Sequence, residues 1–265
     1  MNGPSQIAQN YVNVGIGKTR YGVGKTLALG CLAGAFIALG AVGSAVGSVG
    51  LQPAALSRFA SALIFPIGLV LVLCAGGELF TGNSLIFVPV LEKRIGVKDM
   101  LRNWCLAYIG NLIGGMAIAA MVVFSNSLNL FPGLIEAVIK TGVAKCALPP
   151  HAAFIKGILC NFLVCLAVWI SFGASELSGK IIASYLPVFL FVLCGFEHCV
   201  ANMYFIPAGI FAGIAYPDIA ATVSTEGLNW LNFVVRNLLP VTIGNITGGA
   251  FCVGAVYWTA YLKKR

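Results

Sequence analysis

Six apolar runs, each near the ~20 residues that cross a bilayer as a helix, dominate this chain. They fall at about 27–50, 60–88, 104–124, 152–172, 182–212 and 233–262. Lipid offers no partner for backbone N–H and C=O groups, so each run must satisfy its own as a helix. The predicted class is an all-α membrane protein with six transmembrane helices. Composition agrees: 9% of residues are charged and 59% hydrophobic, whereas soluble domains carry roughly 25% charged residues. The net charge of +8 sits between the runs and at the termini, with no basic stripe interleaved with aromatics, so no nucleic-acid partner is expected. Nine cysteines show no CxxC pair and read as small hydrophobes. Neither a metal site nor a cofactor is expected.

Two of the six runs are interrupted. The second contains Gly76-Gly77-Glu78-Leu79-Phe80-Thr81-Gly82-Asn83, and the fifth contains Gly195-Phe196-Glu197-His198-Cys199-Val200-Ala201-Asn202. Polar groups at that depth are costly unless they line protein or a watery path. The second and fifth helices are therefore expected to be broken near mid-bilayer.

The chain also repeats. Tyr108-Ile-Gly-Asn-Leu-Ile-Gly-Gly115 parallels Thr242-Ile-Gly-Asn-Ile-Thr-Gly-Gly249, and Glu78 with Asn83 parallels Glu197 with Asn202. Three spans per half force the copies into opposite orientations, an inverted 3+3 repeat with its site between the broken helices. The repeats are expected at about 26–125 and 152–262, within a transmembrane domain of 26–262. Residues 1–25 are too polar to insert and show no signal peptide with a cleavage site; they form the N-terminal segment, and 263–265 a short tail. With six spans both termini share a side, which carries eleven Lys and Arg residues against five on the other. That bias places both termini in the cytoplasm. Glycines spaced by four (30/34, 43/47, 110/114, 244/248) suit close helix approach.

Glu78-Leu-Phe-Thr-Gly-Asn83, Lys156-Gly-Ile-Leu-Cys-Asn161, Gly195-Phe-Glu-His-Cys-Val-Ala-Asn-Met203 and Leu239-Pro-Val-Thr-Ile-Gly-Asn245 resemble the formate/nitrite transporter family over about residues 25–260. The resemblance implies an aquaporin-like fold, a homopentamer in the inner (plasma) membrane with one pore per protomer, and small monovalent anions as cargo. Asn202-Met-Tyr-Phe-Ile-Pro-Ala-Gly209 is closer to formate channels than to nitrite channels, so formate stands first. Nitrite and hydrosulfide remain alternatives, as does proton-coupled symport.

His198 lies in the fifth-run break and matches the family's central histidine. Its ordinary pKa, about 6.5, suits a group that offers a proton or N–H to an anion. Thr81, in the facing break, has a hydroxyl that can donate to a passing anion, and the half-helix N-termini nearby favour negative charge. Leu79 and Asn161 are placed along the same pathway. Lys145, twelve residues before Gly157, has the spacing of the lysine the family places near the outer vestibule, while Lys156 reads as snorkelling to the interface. Phe65, Leu69 and Phe191 match apolar constrictions that make conduction size-selective. Glu78 and Glu197 are expected to be buried partners of loop N–H groups, and Asn83, Asn161 and Asn202 to satisfy broken-helix backbone.

Other readings fail on residues. Gly24-Lys25-Thr26 would end a phosphate loop, but Thr19 stands where its first glycine is needed. No nucleophile and orienting carboxylate accompany His198 as an enzyme requires. The paired Asn-Pro-Ala signatures of a neutral-solute channel are missing.

Overall fold

A computed structural model describes residues 1–263, so Lys264 and Arg265 of the expected tail lie outside it. All regular structure among the described residues is helical. In chain order the main helices are α1 Pro4–Thr19, α2 Val23–Ser48, α3 Ala54–Gly76, α4 Phe80–Leu91, α5 Val97–Phe124, α6 Leu134–Cys146, α7 Pro150–Ser171, α8 Leu177–Leu193, α9 Cys199–Ala215 and α10 Trp230–Tyr261. Five of them, α2, α3, α5, α7 and α10, are long and apolar enough to cross a membrane. The run at 182–212 is two helices, α8 and α9, of 17 residues each.

Close helix approach organises the bundle. α2 lies along α5 so tightly that a Cβ at Gly114 would stand 2.0 Å from the Cys31 carbonyl oxygen, and one at Gly34 would stand 2.2 Å from that of Asn111. α7 and α10 repeat the arrangement, with Gly244 and Gly248 each 2.2 Å, by the same measure, from the carbonyl oxygens of Phe154 and Ile158. No larger residue fits those seams, which is the role of small residues in membrane helix packing.

α3 stops at Gly76 and α8 stops just before Gly195, with φ of +96° and +70°, the left-handed region that glycine adopts without steric cost. Extended backbone then carries the chain through Leu79 and His198 into α4 and α9. Two amphipathic helices escaped the sequence reading as ordered elements: α1, whose buried face is Ile7, Ala8, Tyr11, Val12 and Gly15, and α6, which buries Leu134, Ile135, Val138, Ile139 and Gly142.

Candidate functional site

Each interruption leaves backbone groups that a buried asparagine satisfies. Asn111 donates from Nδ2 to the carbonyls of Gly30 (2.8 Å) and Glu78 (2.9 Å), and its Oδ1 accepts from the Phe80 N–H (2.9 Å). Asn245 donates to Gly157 (2.8 Å) and Glu197 (3.0 Å) and accepts from the Cys199 N–H (2.9 Å). The two sets correspond atom for atom. Sequence reasoning had assigned this work to Asn83, Asn161 and Asn202. The signal for Asn111 and Asn245 was present, since both sit in the repeated Ile-Gly-Asn motif.

Asn83 and Asn202 instead bind carboxylates. Asn83 Nδ2 donates to Glu78 Oε2 (2.7 Å) and Asn103 Oδ1 (2.8 Å); Asn202 Nδ2 donates to Glu197 Oε2 (2.7 Å) and Asn237 Oδ1 (2.7 Å). Each carboxylate also meets a lysine. Lys18 of α1 reaches Glu78 Oε1 at 2.7 Å and Asn83 Oδ1 at 2.9 Å, and Lys145 of α6 reaches both Glu197 oxygens at 3.0 Å. Glu78 and Glu197 were expected to accept from loop N–H groups; side chains take them because a buried carboxylate needs a cation as well as donors. Lys18 stands twelve residues before Gly30, as Lys145 stands twelve before Gly157.

Between these clusters lie Thr81 and His198. The Ala201 N–H donates to His198 Nδ1 (3.0 Å), so Nδ1 is an acceptor and a neutral ring carries its hydrogen on Nε2. That N–H donates to Thr81 Oγ1, 2.9 Å away. The Thr81 hydroxyl hydrogen is left without another acceptor among the described residues. Asn161, fully buried, donates to the carbonyls of Thr81 (3.1 Å) and Asn245 (2.6 Å) and to Ser84 Oγ (3.2 Å). Asn161 thus lies behind Thr81, joining the first break to α10.

Three cavities lie in series through this region. On the side away from α1, a cavity of about 360 Å³ is lined by residues including Lys145, Glu197, Phe65, Phe191 and His198. Lys156 lines it too. A central chamber of about 10 Å³ is lined by Ile37, Phe65, Leu69, Leu79, Val164, Val188, Phe191 and His198. A third cavity, of about 50 Å³, has Tyr11, Lys18, Leu69, Leu79 and Asn83 in its wall. Phe65, Phe191 and His198 are shared between the first two, and Leu69 and Leu79 between the last two. Phe191 stacks on the His198 imidazole with centroids 5.9 Å apart and meets Phe65 edge-on at 5.8 Å. Thr81 lines none of the three; it stands one hydrogen bond behind His198.

The family pattern described as Formate/nitrite transporter matches residues 5–259. This chain belongs to the formate/nitrite transporter family. A probable formate transporter of Methanothermobacter thermautotrophicus is 38% identical over 93% of this chain and 92% of its own. The formate channel FocA of Escherichia coli is 35% identical over 98% of this chain and 95% of its own. Among solved structures, a pentameric formate channel with formate bound superposes with a TM-score of 0.78 at 35% identity, covering 91% of this chain and 98% of that one. As a member of this transporter family with several membrane-length helices, the chain is a multi-pass membrane protein.

Proposed function

We propose that this protein passes small monovalent anions, formate first, across the plasma membrane through a pore inside each protomer. One observation carries the reading: three cavities in line, separated only by apolar side chains and by His198. Negative charge is favoured at the centre by His198, which lines the chamber with Thr81 bonded behind it, and by the N-terminal ends of α4 and α9. Lys145 and Lys18 draw anions toward the two mouths while their pairing with glutamates prevents permanent capture. Leu69 and Leu79 on one side, Phe65 and Phe191 on the other, act as the dry constrictions that strip water. Asn161 positions the Thr81 backbone, and Glu78, Asn83, Glu197 and Asn202 brace the breaks.

The architecture we infer is six spans in an inverted 3+3 repeat, with α3–α4 and α8–α9 as the broken pair. Matched bonding by Asn111 and Asn245 supports that symmetry. Each half then begins with its amphipathic helix, α1 or α6, so the repeats start earlier than 26 and 152. The lysine and arginine bias supports cytoplasmic termini, with the far cavity facing outward. The structural neighbour's pentamer supports a homopentamer here. The protein acts as a conduit and not as an enzyme; nitrite and hydrosulfide are the alternative cargoes, with symport with a proton the alternative mode.

The test is a flux panel in proteoliposomes comparing formate, nitrite, hydrosulfide, lactate and a neutral solute such as glycerol. Formate flux above protein-free vesicles, with glycerol at background, is expected. Glycerol passing as fast as formate would overturn the anion reading.

A further inference from the structure

The two mouths are built on one plan but differ in charge. Under α1, the cavity wall holds one basic residue, Lys18, bonded to Glu78 at 2.7 Å. The far cavity holds three, Arg58, Lys145 and Lys156, beside the carboxylate of Glu197. Lys145 is held by both oxygens of that carboxylate. The side chains of Arg58 and Lys156 make no hydrogen bond or ion pair among the described residues.

Internal symmetry makes the Lys156 difference sharp. The Glu197 N–H donates to the Lys156 carbonyl, as the Glu78 N–H donates to that of Leu29. Position 156 in one half is therefore position 29 in the other, and a lysine stands where the mirrored mouth has leucine. Arg58 comes from the opposite half, on α3. Its guanidinium lies beside Gly195 at the far break, 3.9 Å from where a Cβ on that glycine would stand. It also borders a second far-side cavity of about 630 Å³ that contains Lys140 and Glu136, so it faces both the vestibule and its approach. Lys180, on the α1 side, donates to the Leu73 carbonyl at 2.8 Å and lines neither inner chamber.

We propose that Arg58 and Lys156 form a capture pair for anions at the far mouth only, distinct from Lys145. Two uncompensated positive charges around a low-dielectric cavity concentrate anions there and raise their rate of arrival. Guanidinium recognises a carboxylate through paired N–H groups and lysine through a point charge, which suits a monocarboxylate such as formate. Because the pair sits on one side, salt in the compartment facing the far mouth screens it and salt in the other compartment does not. Equilibrium across the membrane is unchanged, so the pair raises sub-saturating flux equally in both directions.

This inference rests on the anion-conduit reading, and the experiment separates the two. Sub-saturating formate flux is measured in vesicles of uniform orientation while the ionic strength of one compartment at a time is raised from about 0.01 M to about 1 M, where the Debye length shrinks from about 30 Å to about 3 Å. Wild-type flux should fall far more with salt on the far-mouth side than with salt on the other side. The R58Q/K156L double variant should lose about tenfold or more of low-salt, sub-saturating flux. It should keep the wild-type rate at saturating formate, while R58K/K156R retains the salt response. The proposal is overturned if the double variant keeps the wild-type salt response, or if its saturating rate falls equally, the mark of a damaged pore. Wild-type vesicles silent toward formate at saturation would instead remove the conduit reading beneath it.

Discussion

At the scale of single residues, direction of donation decides what the centre can do. His198 is fixed as a donor through Nε2 because its Nδ1 already accepts from Ala201, and Thr81 therefore has a hydrogen to offer. Thr81→Val keeps the shape and removes that hydrogen. A hydrogen bond to a charged group contributes about 1.5–3 kcal/mol, so formate flux should fall about tenfold to a hundredfold, with Thr81→Ser restoring it. Equal flux in the two variants would show that the hydroxyl never meets the ion. His198→Phe tests the ring in the same assay: flux should drop and its pH profile differ from wild type. A buried asparagine carries a different burden. Asn245→Leu strands the Gly157 and Glu197 carbonyls and the Cys199 N–H, each at about 1–3 kcal/mol. Thermal unfolding in detergent should show a loss of about 3 kcal/mol or more, whereas a melting curve matching wild type would mean that other groups satisfy this break.

At the scale of elements, α1 and α6 are the pieces that hold the breaks from outside the apolar spans. Each sends one lysine to one glutamate, so their loss should act locally. Lys18→Met should speed hydrogen exchange of the amides at 80–83, and Lys145→Met those at 199–202, neither disturbing the other half. Exchange spreading through both halves would show that the clusters are not separate units. These two helices were the part least legible in the sequence. Each is amphipathic and under 17 residues long, so neither announces itself as a membrane span. The partners of their lysines lie 60 and 52 residues away, beyond the reach of any local pattern. The places where helices end, at Gly76 and just before Gly195, were marked in the sequence, because Glu78 and Glu197 inside apolar runs demand an explanation. What those glutamates bind was not marked, since carboxylate partners depend on how helices from distant segments meet.

At the scale of the whole molecule, glycine seams set how near α2 comes to α5 and α7 to α10. Gly244→Val would drive a side chain into the Phe154 carbonyl, 2.2 Å from an added Cβ, and should abolish assembly in size-exclusion chromatography, while Gly24→Ala, with open space around it, should not. A normally assembled Gly244→Val protein would mean that α7 and α10 can part. The spacing of these glycines was visible in the sequence; the order of the cavities was not, because it depends on where rings such as Phe65 and Phe191 come to rest. That order has a bearing on protons. The middle chamber, about 10 Å³, is close to the smallest space that holds a single water, and its wall is apolar apart from His198. A wire of waters threading the membrane needs several molecules in contact, and here there is seating for one. On the conduit we propose, hydrogen ions ride on the passenger or are handed over by the imidazole, and a chain of waters is not their route.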